Sequence, residues 1–302
     1  MSMRACVIFN PAARGARARR FLGALNNLSP RCALLPTQRP GHASELAAEA
    51  CREGFDTIIA AGGDGTVSEV VEGLARVPAA LESARLGVIP LGTINVFARE
   101  LGLPRRPDAA WQFIQTGGEI HVDLPCVEMN AGRERLKRHF LQLGGAGLDS
   151  RTIERVKWRW KQWLGPVAYL LAGLQAMTGP QPRVEVLAKG RRLAGELVLV
   201  GNGRYYGGNV TMFPGADLQD GLLDARVFAR VTALTLARFT WVWLARRPLG
   251  PRWAATLRAE RLEVTCGEPL PVEVDGDNVG LAPAVFTVRR QVLRVLAPGG
   301  RR

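Results

Sequence analysis

The sequence is poor in the residues that staple or clip small proteins together. It has five cysteines, Cys6, Cys32, Cys51, Cys126 and Cys266, and only three histidines. The cysteine count is odd and no pair has C-x-x-C spacing, which argues against a disulfide frame and against a zinc site. They read as reduced thiols of a cytosolic protein. A long apolar run is missing too. The uncharged stretch at residues 165–182 is broken by Pro166, two glutamines and several glycines, so it makes no convincing membrane span. The opening apolar run is too short for a signal peptide and lacks a cleavage pattern. The expectation is a soluble, cytoplasmic protein.

What is present is a chain of 302 residues, 47% hydrophobic, long enough for two domains. Its net charge of +13 is uneven. Residues 1–122 carry 13 basic and 11 acidic groups, and the remainder carries 27 and 16. A basic second half suits an anionic partner, either a membrane surface or nucleic acid; a GC-rich genome would leave the same imprint of arginine.

The chain is organised around Asp56 to Glu72. An apolar, β-branched run ends in Gly62-Gly63-Asp64-Gly65-Thr66, and a helical pattern follows at once. Glycines allow close approach of the backbone, and a helix start offers unpaired N–H groups and the positive end of a dipole, which suits phosphate. Asp64 would repel a phosphate directly. It fits if a cation lies between them, or if it takes a proton from an attacking hydroxyl. The plain alternative is a tight βα turn with an N-capping aspartate.

Four strand–loop–helix units precede residue 120, which predicts a parallel sheet covered by helices, with ligands at the carboxyl ends of its strands. Beyond Asp123 short apolar runs at 139–143, 184–187, 196–200, 222–228, 262–266 and 285–295 predict a mostly antiparallel β domain. Residues 153–177 and 231–257, rich in tryptophan and arginine, do not read as strands. In the first, Val156, Trp160, Trp163, Leu164 and Val167 share a helical face that suits either a membrane surface or the domain's own core. Arg155, Lys157, Arg159 and Lys161 are candidates for anionic headgroups. In Val272-Glu273-Val274-Asp275-Gly276-Asp277 the apolar alternation ends in a hairpin turn. In the loop from Pro214 to Leu222, Asp217 and Asp220 with a backbone carbonyl beyond them can hold a hard cation or simply make a turn.

Asn10 to Gly15, Thr37 with Gly41-His42-Ala43, Gly62 to Thr66 with Glu69, Pro90 to Asn95, Gly144 to Gly147 and Asp217 to Asp220 occur in one order. That order, over nearly the whole chain, resembles the diacylglycerol kinase catalytic-domain family, specifically its soluble bacterial lipid kinases, related to sphingosine kinases. The resemblance implies an ATP-binding α/β domain, residues 1–122 with a C-terminal return of about 288–302, and a β-sandwich domain, residues 123–287, for lipid and metal. The active site is expected in the cleft between them. Carried over by position, Asn10, Thr37, Gly62, Gly63, Asp64, Gly65, Thr66, Glu69, Gly92, Thr93 and Asn95 belong to the ATP site. Asp217, Asp220 and the Leu222 carbonyl match a structural magnesium site. Asp275 matches the proposed general base, with Asp277 beside it where many members have glutamate, and Asp64 organises magnesium; sphingosine kinases are usually assigned the base at Asp64 instead. Val96 departs from the family, many of whose bacterial members have an acid there that supports a water and carboxylate network; Asp123 matches another acid of that network.

The implied function is an ATP- and Mg2+-dependent kinase of a diacylglycerol-like or sphingoid lipid, acting peripherally at the bilayer, with no nucleic-acid partner and with a homodimer among the assemblies the sequence allows. The alternatives are an NAD-kinase-like kinase of a soluble substrate, or a non-catalytic binding protein of the same fold.

Overall fold

In the computed structural model the residues described are 3–13, 16–23, 32–131, 134–147, 183–208, 210–245, 247–250 and 253–298. The tryptophan-rich stretch expected at 153–177, with its basic residues, lies outside them. The chain divides into two compact units, Met1–Leu124 with Arg289–Arg302, and Pro125–Val288.

The first unit follows the alternation β1 (Ala5–Phe9), α1 (Ala16–Gly23), β2 (Ala33–Pro36), α2 (His42–Arg52), β3 (Thr57–Gly62), α3 (Asp64–Ala75), α4 (Ala80–Ser83), β4 (Arg85–Pro90), α5 (Val96–Glu100) and α6 (Pro107–Thr116). Strand order is β2-β1-β3-β4, all parallel. Every residue of β1 and β3 is buried. Strands apolar on both faces need a cover on both, and crossover helices supply it. Phe21 of α1 and Trp111 and Ile114 of α6 pack on Val7, Ile59 and Ile89. Elsewhere α2 and α3 meet closely at Gly73, where a Cβ would come 2.7 Å from that of Ala47.

Strand β5 (Glu119–Ala131) carries the chain onward, and β6 (Glu134–His139) folds back along it. The second unit continues with β7 (Leu143–Gly147), β8 (Val184–Ala188), β9 (Arg191–Gly195), β10 (Leu197–Gly201), β11 (Tyr205–Tyr206), β12 (Val210–Thr211), β13 (Leu223–Phe228), α7 (Ala233–Leu244), β14 (Ala255–Ala259), β15 (Arg261–Cys266), β16 (Leu270–Val274), β17 (Asp277–Ala282) and β18 (Ala284–Leu296). Six strands form an antiparallel sheet in the order β14-β13-β10-β7-β16-β17, and β18, β15, β8 and β9 pair antiparallel in another. Val198, Ala225 and Val272 of the one share a core with Val186, Leu262 and Phe286 of the other. This is a β-sandwich. The end of β18 returns to the first unit, Val295 lying parallel beside Leu86 of β4.

The α/β unit and antiparallel sandwich are the architecture the sequence predicts. Two details differ. The run at 139–143 is not one strand but the joint between β6 and β7, because the backbone of Leu141 and Gln142 is turned to another task described below. Residues 231–257 hold helix α7, but β14 begins within them. Glycine-rich β7 is a strand, despite the low β-propensity of glycine, because a Cβ on Gly144 would come 2.6 Å from the ring of buried Phe286. All five cysteines are free thiols, and burial pushes Cys6 up to about 12 and Cys51 to about 11.

Candidate functional site

The loops at the carboxyl ends of β3 and β4 are pressed together. A Cβ on Gly92 would lie 2.6 Å from Gly63 Cα and 2.7 Å from Asn95 Oδ1, so a side chain at position 92 would force these segments apart. Leu91 N–H donates to the Gly62 carbonyl at 2.8 Å. Asn95, with φ 54°, closes the second loop on itself: Oδ1 accepts the Gly92 N–H at 3.0 Å and Nδ2 donates to the Gly92 carbonyl at 2.7 Å. Its amide is therefore a buried clamp on Gly92, while Thr93 and Ile94 are exposed. Arg17 of α1 donates to the carbonyls of Gly92 and Thr93. Nothing in the arginine-rich pattern of α1 distinguishes it in the sequence.

Asp64 is the first residue of α3 and does not cap it; Gly63 stands at the cap and carries no side chain. Asp64 Oδ1 instead accepts the Phe97 N–H at 3.3 Å, and the amides of Val96 and Asn95 also bond the carboxylate, so that it serves the start of α5. Val96 contributes here through its backbone. Burial raises the Asp64 pKa, and these amides offset only part of that rise. Glu69, further along α3, is spent in the same way. Its Oε1 accepts the Gly41 N–H at 2.9 Å and its Oε2 the Ala43 N–H at 3.1 Å, which caps α2 after left-handed Gly41. Two acids of α3 thus cap its neighbours. The first turn of α3 has no side-chain cap, and a Cβ on Gly65 would meet nothing within 4 Å. Bare amides at the positive end of a twelve-residue helix, with glycine at the approach, fit a phosphate chain.

Asn10 and Thr37 sit at the neighbouring ends of β1 and β2. Asn10 Oδ1 accepts the Ala12 N–H at 2.8 Å, and Thr37 N–H donates to the Phe9 carbonyl at 2.8 Å. Asp123 is buried on β5, its Oδ1 accepting the Gln291 N–H at 2.7 Å.

In the second unit Asp275 and Gly276, with φ 47° and 92°, form the two-residue turn between β16 and β17. Two positive φ values are what a type I′ hairpin turn requires. Asp275 Oδ2 accepts the Leu141 N–H at 2.8 Å, and Oδ1 accepts the N–H groups of Gln142 at 3.0 Å and Leu143 at 3.1 Å. This cradle is why residues 141 and 142 leave the strand ladder. Asn202 braces it, donating from Nδ2 to the Leu141 carbonyl at 2.9 Å. Asp277 is exposed at the far side of the turn.

The two carboxylates expected to hold a structural magnesium are engaged by the protein's own donors. Asp217 Oδ1 accepts the Gln219 N–H at 3.0 Å, Asp220 Oδ1 accepts the Leu222 N–H at 2.8 Å, and the second oxygen of Asp220 is bonded to Arg258. Among the described residues no group of three or more His, Cys, Asp or Glu side chains is placed to hold a metal.

Comparison with known proteins bears on the family and the fold. Residues 4–127 match the model of the diacylglycerol kinase catalytic domain, and residues 144–297 match that of the YegS C-terminal NAD kinase beta sandwich-like domain. A diacylglycerol kinase of Bacillus subtilis (strain 168) is 30% identical, with 85% of this chain and 83% of the relative covered. A protein of Pseudomonas aeruginosa (strain UCBPP-PA14) named "Probable lipid kinase YegS-like" is 32% identical over 97% of this chain and 94% of its own. The crystal structure of a diacylglycerol kinase from Bacillus anthracis str. Sterne superposes with a TM-score of 0.77 at 25% identity, covering 98% and 97% of the two chains. Yeast NADH kinase shares the fold, with a TM-score of 0.55 at 10% identity over 98% of this chain and 83% of its own.

Two substitutions separate the roles of the α3 acids. Because the Asp64 pKa is raised on folding, its ionisation opposes folding, and the stability it contributes is lost as pH rises from the ordinary value of 3.8 through the folded value. Asp64→Asn keeps an acceptor for the α5 amides without the charge. Its melting temperature is expected to gain on wild type as pH rises through that window; a difference independent of pH would refute the linkage. Glu69→Ala is expected to lose about 1 kcal/mol of stability, as for a lost N-cap, with nucleotide affinity unchanged in a binding titration.

Proposed function

The chain belongs to the diacylglycerol kinase catalytic-domain family, and from that premise we propose that it transfers the γ-phosphate of ATP to the hydroxyl of a diacylglycerol-like or sphingoid lipid. The observation that carries the reading is the uncapped first turn of α3, held at its glycines against the loop of Gly92 to Asn95. Phosphoryl transfer asks chiefly for positioning and for neutralisation of spreading charge. The α3 amides, the Gly65 approach and Thr66 supply this to the phosphates, and the clamp of Asn95 on Gly92 keeps the opposing loop in place. Magnesium, when carried on the nucleotide, neutralises β- and γ-phosphate oxygens; Asp64 is the carboxylate assigned to organise it.

Asp275 is the assigned base. A carboxylate fixed by three backbone donors has its orientation set before substrate arrives. Its task is to accept the proton of the lipid hydroxyl as that oxygen attacks phosphorus. The test is transfer of labelled γ-phosphate to diacylglycerol, monoacylglycerol, ceramide and sphingosine in mixed micelles, with and without magnesium. Asp275→Asn is expected to lower kcat about 10²–10⁴-fold, the usual span for a lost base, with ATP binding retained. Full activity in that variant would remove the base, and labelled product from NAD but from no lipid would replace the substrate class.

Helix α7 supports a lipid surface as the place of work. Its inner side, with Phe239 and Val242, packs on the sandwich. Leu234, Trp241 and Leu244, spaced seven and three residues apart along the helix, remain 70%, 52% and 66% exposed. From Asp224 to Glu260 the sequence has seven arginines and no acid between them. An apolar stripe in an all-basic segment matches an anionic bilayer, with tryptophan at headgroup depth. Among the described residues no helix is long and apolar enough to cross a membrane. The double variant Trp241→Ser, Leu244→Gln is expected to sediment less with phosphatidylglycerol vesicles, while phosphorylation of a dispersed short-chain diacylglycerol is unchanged. Undiminished vesicle binding would exclude α7 as the docking face.

A further inference from the structure

The acidic loop of the second unit already contains a cation, and it is a side chain. Arg258 lies on β14 directly across from Asp224 on β13. Its Nε donates to Asp224 Oδ2 at 3.2 Å, and its Nη2 donates to the Gly215 carbonyl at 3.0 Å and to Asp220 Oδ2. One guanidinium thus gathers a main-chain carbonyl and two carboxylates. That is the oxygen set a hard metal ion would draw from a loop of this kind. The remaining acid, Asp217, is occupied locally with Gln219.

We propose that Arg258 takes the place of the structural magnesium in this chain, so that the loop from Pro214 to Leu222 is fastened to β13 and β14 without a metal. Three physical points support the substitution. A guanidinium is always charged and presents its donors in a fixed planar fork, which suits several oxygens at once. Magnesium demands oxygens on a near-octahedral shell at roughly 2.0–2.1 Å, and here one of the Asp220 oxygens is committed to Arg258 and the other to the Leu222 amide. A divalent ion entering beside the guanidinium would also face a like charge at contact distance. The side chains of Asp220 and Asp224 are only 24% and 20% exposed, so a cation between them relieves a repulsion that water screens incompletely. Any magnesium requirement of catalysis is then confined to the nucleotide.

The inference stands apart from the catalytic reading, and thermal melting without nucleotide tests it. Wild type stripped with EDTA is expected to melt at the same temperature as wild type in millimolar MgCl2. Arg258→Ala is expected to melt several degrees lower. A wild type that loses several degrees on stripping and regains them with magnesium would overturn the proposal, as would an Arg258→Ala protein that melts like wild type. Should Arg258→Ala not fold, wild type and Asp217→Asn decide. Arg258 bonds Asp224, Gly215 and Asp220 but not Asp217, so this variant is expected to be as indifferent to magnesium as wild type. A magnesium-dependent melt that Asp217→Asn abolishes would mark a true metal site.

Discussion

The first unit depends on how the charge of α3 is distributed. A helix start must satisfy its unpaired amides, and most do so with their own capping side chain. Here α2 and α5 lack such a cap and borrow one from α3, Glu69 for the former and Asp64 for the latter. The lender keeps none. The result is one helix fixed to two neighbours by carboxylates, with its own positive end left for a ligand. The arrangement has a cost: Asp64 is buried enough that its charge is disfavoured even with three amides around it. Burying a charge that ionises reluctantly makes sense at a site designed to receive another charge.

This division of labour explains which parts were legible in the sequence. Gly62 to Thr66 could be read as a phosphate turn because everything it needs is local: an apolar strand before it, glycines in it and a helix after it. The parallel sheet was legible for the same reason, since β1 and β3 are unbroken apolar runs. What Asp64 and Glu69 bind was not. Their partners lie 33 and 26–28 residues away in the chain, and nothing in a carboxylate announces whether it faces a cation, a phosphate or another helix. Asn95 is the same lesson in miniature. Its place in a ligand-binding motif is explained by a left-handed backbone and a clamp on Gly92, which hold the loop whose neighbours could touch nucleotide.

In the second unit the sequence pattern misled where backbone had been diverted. Residues 139–143 have strand composition, yet Leu141 and Gln142 give their amides to Asp275 and stand outside the ladder between β6 and β7. Glycines 144, 145 and 147 are poor strand formers by local propensity and yet form β7, because only glycine leaves room for Phe286 and for the neighbouring backbones. In both cases a requirement distant in sequence overrode local propensity. The Asp275 turn combined the two kinds of signal. Its hairpin was visible from the alternation before it, while its amide cradle was not.

The acidic loop carries this reasoning one step further. Asp217, Asp220 and the carbonyl beyond them look like a metal site in any sequence, because hard cations and short turns favour the same residues. Which cation answers them is decided by a residue 38 positions from Asp220, on a strand whose register with β13 brings it across from Asp224. A motif of carboxylates specifies a need for positive charge and leaves its source open. Where the fold provides a guanidinium in fixed register, the need is met at folding rather than by binding, and the loop no longer depends on metal concentration.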